Sequence, residues 1–179
     1  MPEVRFIPPA DEVKAMVAAI PGSRFTPGVV VAQEGRDGHL GPEAAGAVLI
    51  LQVTSVDEEA AGRFWQASTA VKQQLPTAPG FIRLFSLADG PCGYLVAFWR
   101  TVEDAQAFSR DPRHRAAMEE LHVAPFQYSH FVGLWKAHSV HPRQIFCDRC
   151  GAATTAPTDS CSRCGNALHD VHREGGGLR

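Results

Sequence analysis

GFIRLFSLADGPCGYLVAFWR, Gly80 to Arg100, reads as two strands and the turn that joins them. Gly80 to Leu87 and Tyr94 to Arg100 are dense in Phe, Leu, Ile and Val, side chains that suit a pleated, half-buried surface. Between them Ala88-Asp-Gly-Pro-Cys-Gly93 gathers turn-forming residues, so the second strand returns antiparallel as a hairpin.

The elements on either side follow from this hairpin. Asp57 to Leu75 places Ala61, Phe64, Ser68, Val71 and Leu75 on one stripe at helical spacing. Asp57, Glu58 and Glu59 stand in its first turn, where the helix dipole favours acids, and Pro76 and Pro79 stop it. Ahead of the helix, Ala47 to Ser55 is rich in Val, Leu and Ile and reads as a buried strand. After the hairpin, Thr101 caps a helix that opens on Glu103 and Asp104. Asp111-Pro112 interrupts that helix and starts a shorter piece running to Leu121. Phe126 to Ala137 is the last strand. The order is βαββαβ, an α+β ferredoxin-like pattern with four antiparallel strands and the helices on one face. Such a sheet leaves an apolar face uncovered, which a second copy of the chain or residues 1–45 would have to fill.

Four segments are expected. Residues 1–45 form an N-terminal extension with a helix candidate at Asp11 to Ile20, a strand candidate at Val29 to Ala32 and a glycine-rich loop from Gly35 to Gly46. Residues 46–138 form the main domain, 139–168 a linker and a metal module, and 169–179 a flexible tail.

The metal module rests on Cys147-Asp-Arg-Cys150-Gly151 and Cys161-Ser-Arg-Cys164-Gly165. Each Cys-x-x-Cys lets two thiolates reach one ion from a single tight turn, and the glycine that follows permits the positive φ such a turn uses. Four sulfurs around one ion suit structural Zn²⁺ and leave no position open for water. An iron centre and a pair of redox dithiols are the other readings of this spacing. The fifth cysteine, Cys92, falls in the hairpin turn and reads as incidental.

A formal net charge of −2 over 179 residues gives no broad basic surface, so no nucleic-acid partner is expected. The longest apolar run, Ala44 to Val53, is broken by Gly46 and Gln52 and has strand length, so no membrane span is expected. The N-terminus lacks a basic start followed by an apolar core, as a secretory signal would have. Paired, odd-numbered cysteines point to metal binding in a reducing cytoplasm. No glycine-rich phosphate loop sits between a strand and a helix, and no carboxylates pair within strands.

Four pieces of the main domain carry a resemblance: Gly80-Phe-Ile-Arg-Leu-Phe, Tyr94-Leu-Val-Ala-Phe-Trp-Arg, Thr101-Val-Glu-Asp-Ala-Gln-Ala-Phe108 and Asp111-Pro-Arg-His114. Over residues 46–138 the chain resembles the antibiotic biosynthesis monooxygenase-type family of the dimeric α/β-barrel superfamily. Residues 145–168 resemble a zinc ribbon, a module that serves docking or stability. The first resemblance implies a homodimer that packs its open sheet faces together, and a small-molecule pocket between sheet and helices. It also implies oxidation of a small aromatic or polyketide-like substrate, which is deprotonated and then donates an electron to dioxygen. Haem-binding branches of the superfamily, with a histidine on the iron, are the second implication. Trp99 matches the family's Trp at the end of the third strand, and His114 its helix-start histidine.

The candidate site residues are His130, His114, Arg83 and Trp99. Either histidine would be the base or the iron ligand, Arg83 the cation that stabilises the anion, and Trp99 a wall. Alternation puts Val48, Ile50, Gln52 and Thr54 on one face of the first strand. It sets Arg83 beside Phe81 and Phe85, and Tyr128 and His130 with Phe126 and Val132. Gln52, Arg83 and His130 are expected to converge. Each residue also has a plain structural reading. Trp99 serves as a core aromatic, His114 as a solvated helix start, His130 as a hydrogen-bonded core residue, Arg83 as a partner for a carboxylate and Tyr128 as packing. His122, His138 and His141 read as surface residues. A third reading is a ligand sensor or scaffold whose ribbon docks a protein partner.

Overall fold

The structure is a computed structural model and describes residues 29–123, 127–156 and 158–168. The helix expected at 11–20 and the tail at 169–179 lie outside the described residues.

Five strands form the main sheet: β1 (Val29–Glu34), β2 (Ala47–Ser55), β3 (Phe81–Asp89), β4 (Cys92–Trp99) and β5 (Gln127–Lys136). Their order across the sheet is β1-β3-β4-β2-β5, with every neighbouring pair antiparallel. Helices α1 (Glu58–Lys72), α2 (Val102–Arg110) and α3 (Pro112–Val123) complete the βαββαβ order. The fold is therefore the α+β ferredoxin-like one, with β1 added at one edge. The strand foreseen at Val29 to Ala32 runs on to Glu34 and extends the sheet along β3.

Local chemistry explains the boundaries. Asp57 accepts the Ala60 amide at 2.7 Å and starts α1. Thr101 starts α2 by accepting the Asp104 amide at 3.0 Å, while its own hydroxyl donates to the Asp104 carboxylate at 2.7 Å. The hairpin turn is tighter than its composition suggests: Asp89 pairs with Cys92, so Gly90-Pro91 alone closes it, with Gly90 at φ 54°. Cys92 belongs to β4. Gly80, at φ 71°, enters β3 where a Cβ would come 2.3 Å from the Asp104 carboxylate.

One sheet face packs on the helices. Trp99, Phe81 and Val53 are almost fully buried there. Trp99 stands edge-on to Phe81 at 5.2 Å between ring centroids and tilted on Phe108 at 5.3 Å. A second group, Val53, Ala60 and Phe64, packs with Trp65 and Met118 toward α3.

The opposite face carries Gln52 and Tyr94, which are paired across β2 and β4. On it Phe131 and Trp135 are 51% and 44% exposed, with Leu87 and Tyr94 also open, so this face is apolar and uncovered by the described residues. Residues 29–34 lengthen the sheet and leave this face open.

Two expectations about faces are corrected. Arg83 stands across from Phe98 and Glu34, on the open face, and its guanidinium pairs with the Glu34 carboxylate. A register shift between Phe81 and Arg83 separates their faces, so Phe81 turns to the core while Arg83 and Phe85 turn away. His130 pairs with Val53, which faces the helices, so it shares no face with Gln52 or Arg83.

Candidate functional site

Between the sheet and the helices lies a cavity of about 360 Å³. Its walls are mostly apolar: Leu49, Leu51, Leu95, Phe64, Trp99 and Phe108 give its character. The polar groups that reach it are Ser68 and Lys72 of α1, Ser109 of α2, His114 of α3 and His130 of β5. An apolar concavity with a few convergent polar groups is what a small-molecule site requires.

Three sequence candidates, Trp99, His114 and His130, line this one cavity, and Arg83 does not. The Tyr128 and His122 side chains lie outside the described ones, and His138 and His141 are exposed. Sequence reasoning missed Lys72. It closes a helix whose last turn favours a cation anyway, so nothing in its local pattern separates it from an ordinary helix-terminal lysine.

Trp99, Phe108 and His114 form a continuous aromatic row, with Phe108 and His114 centroids 4.9 Å apart. Trp99 Nε1 and His114 Nδ1 are both buried without a hydrogen-bond partner. Leaving such groups unpaired costs about 1–3 kcal/mol each. Both side chains line the cavity, and each has hydrogen-bonding capacity that the protein leaves unused, the indole N–H as donor and the imidazole as acceptor or donor. His130 is exposed and stands toward the cavity mouth.

Burial lowers the His114 pKa below the ordinary histidine value, with the Asp111 carboxylate pulling weakly the other way. The imidazole is therefore neutral at pH 7 and able to take a proton.

The second candidate centre is the cysteine cluster. Strands β6 (Gln144–Phe146) and β7 (Ala153–Thr155) pair, and a further bridge joins Ser160 to Ala167. The two cysteine turns repeat one geometry. Gly151 and Gly165 both take φ 69°, and their amides donate to the carbonyls of Cys147 at 2.8 Å and Cys161 at 2.9 Å.

The four Sγ atoms of Cys147, Cys150, Cys161 and Cys164 lie within 4.8 Å of one another, with two pairs at 3.7 and 3.6 Å. A tetrahedron of Zn–S bonds sets its sulfurs about 3.8 Å apart, so the donor set fits a metal ion of that type. The backbone amides of Cys164 and Arg163 draw the Cys161 thiol down to about 6. Cys150 is pushed up to about 12: the Ala152 amide lowers it, but burial and the three neighbouring sulfurs outweigh that pull. Four thiols this close cannot all ionise unless a cation sits among them.

No family model and no curated protein matches the chain. Solved structures resemble it. A monooxygenase from Streptomyces coelicolor, solved in complex with nanaomycin D, is 18% identical and aligns over 57% of this chain and 96% of its own, with a TM-score of 0.49. A protein from Nitrosomonas europaea designated an antibiotic biosynthesis monooxygenase is 15% identical over 52% of this chain and 92% of its own, with a TM-score of 0.45. A haem-degrading enzyme from Listeria monocytogenes is 10% identical over 70% of this chain and 92% of its own, with a TM-score of 0.44. At such identities the likeness is one of fold, and the chemistry of the cavity is read from its own residues.

By NMR titration, His114 should protonate below pH 6.5, the ordinary histidine value, because burial disfavours its charged form. Asp111→Asn keeps the capping geometry and removes the opposing charge, so it should lower that pKa further. A rise on this substitution would show that Asp111 does not act on His114 as described.

Proposed function

We propose that this protein is a monooxygenase-like oxidoreductase that acts on a small aromatic or polyketide-like metabolite in the cavity between sheet and helices. The observation that carries the reading is the apolar cavity that Trp99, His114 and His130 line together. The motif resemblance across residues 46–138 supplies the reaction class. His114, neutral at pH 7, takes the proton from the substrate. Trp99 N–H holds the oxygen on which negative charge develops. The apolar walls keep water from that anion, which donates an electron to dioxygen; one oxygen atom then enters at a substrate carbon that gives up two hydrogens, and the other leaves as water. His130 at the mouth is the alternative base.

The four cysteines hold structural Zn²⁺. All four positions are filled by protein, so the metal folds the module and takes no part in the oxidation. Two copies of the chain cover each other's open sheet face, where Phe131 and Trp135 are exposed. The reducing compartment implied by four metal-binding thiols is the cytoplasm. Among the described residues no helix is long and apolar enough to cross a membrane.

Oxygen uptake on small phenols and quinols tests the chemistry. His114→Ala should cut turnover by about 100-fold or more, the usual worth of a general base, without changing the melting temperature by more than a few degrees. Equal turnover would remove His114 from the reaction. A Soret band in the purified protein would instead move the reading to a haem enzyme with His114 or His130 on the iron.

Metal analysis tests the module. Cys161→Ser should release the zinc and unfold residues 145–168 while the main sheet keeps its far-ultraviolet signal. One zinc per chain retained after that change would overturn the assignment.

Light scattering tests the pairing of sheet faces. A dimer is expected at micromolar concentration, and a stable monomer would mean that some other part of the chain covers the face.

A further inference from the structure

Lys72 is the cation of the cavity. Among the described residues that line it, Lys72, His114 and His130 are the titratable groups, and none is acidic. The described ion pairs do not include Lys72. Its ammonium lies 4.3 Å from the centroid of the Trp65 ring, so the contact that holds it is a cation–π one, which neutralises no charge.

The surroundings keep this lysine in place. The Trp65 ring lies against the bare backbone of Gly93, where a Cβ would come 2.5 Å from a ring carbon. Gln33 of β1 donates its side-chain amide to the Lys72 carbonyl at 2.8 Å, which pins the end of α1 to the sheet edge. Burial also pulls the Lys72 pKa below the ordinary lysine value. A half-buried cation at the edge of an apolar concavity, without a counter-charge, attracts an anion more strongly than it would in water. The remaining walls are set by aromatic and aliphatic side chains, with Phe64, Trp99 and Phe108 among them.

We propose that the cavity selects an aromatic ligand bearing one carboxylate, and that Lys72 recognises that carboxylate while Trp99 and His114 face the reacting oxygen. This deepens the proposed function and rests on its reading of the cavity as the active site. Lys72 is then the residue that sets substrate charge and orientation, and the aromatic body fills the space between it and the Trp99–Phe108–His114 row.

Calorimetric titration of the full chain with 1-naphthoate and with its neutral counterpart 1-naphthamide tests this. The native protein should bind the naphthoate at least about tenfold more tightly, the usual worth of a hydrogen bond to a charged group. Lys72→Met should abolish that preference by weakening the naphthoate about tenfold, and leave the naphthamide within about twofold. Lys72→Arg keeps the charge and should retain most of the preference. Lys72→Gln, a second neutral replacement, should repeat the Met result and guards against a misfolded variant.

Equal affinity of the native protein for both probes would overturn the Lys72 proposal and leave the cavity reading standing. So would a Met variant that weakens both probes alike, because Lys72 would then only pack. Naphthoate binding unchanged in both neutral variants would place the probe elsewhere, on the open sheet face for instance, and would also overturn it. Failure of the native protein to bind either probe would overturn the cavity reading and the proposal together.

Discussion

A pleated strand sends alternate side chains to opposite faces, and the described helices cover only one of them. Leu49, Leu51 and Val53 of β2 turn to the helices, while Val48, Ile50 and Gln52 turn away. Register carries the division across the sheet, because Val53 pairs with His130 and Gln52 with Tyr94. The same constraint makes the cavity on one side and the exposed apolar surface on the other. A slip of one residue in β5 would carry His130 out of the cavity and turn Phe131 into it.

Packing then decides which polar groups the cavity keeps. Trp99 must be large to meet Phe81 on one side and Phe108 on the other, and its burial leaves Nε1 without a protein partner. His114 is brought in by the break at Asp111, which ends α2 and lets α3 restart at Pro112 at a new angle. The Asp111 carboxylate accepts the Arg113 amide at 2.8 Å, a turn that starts the new helix. A continuous helix would carry position 114 along a different course. The dipeptide that reads as an interruption in sequence is thus the device that aims the imidazole at the aromatic row.

The order of elements was legible because each has a local signal: the acidic first turns, the Gly90-Pro91 turn, the proline at the start of α3. The cysteine centre was legible because its ligands come in two short, identical turns. Arg83 was misplaced because a bulge has no signature in a run such as Phe81-Ile-Arg-Leu-Phe, where every residue but one is apolar and either phase of alternation looks acceptable. Lys72 was passed over because its meaning depends on Gln33 and Gly93, which lie in two other elements, and on Trp65, two turns back in its own helix. Non-local chemistry of that kind carries no mark in a sequence window.

Residues 33–43, which run from the end of β1 into the segment read as a glycine-rich loop from Gly35 to Gly46, tie the parts of the molecule together. Gln33 holds the end of α1, Glu34 pairs with buried Arg83, and Asp37 lies 3.9 Å from Arg100 at the end of the hairpin. Glu43 accepts from Arg143 Nε at 2.8 Å, with both side chains largely buried. Breaking such a pair costs more than breaking an exposed one, since the surviving charge has lost part of its water. Arg143 stands just ahead of β6, and its carbonyl accepts the Ala156 amide at 2.8 Å just beyond β7. The pairing of β6 with β7, which carries the first cysteine turn, therefore also fixes the backbone of Arg143. Through Glu43 that order reaches the loop that leads into β2, an inner strand of the sheet between β4 and β5. The cysteine cluster is in this way linked, through Arg143 and Glu43, to the loop ahead of the strand that lines the cavity with Leu49 and Leu51.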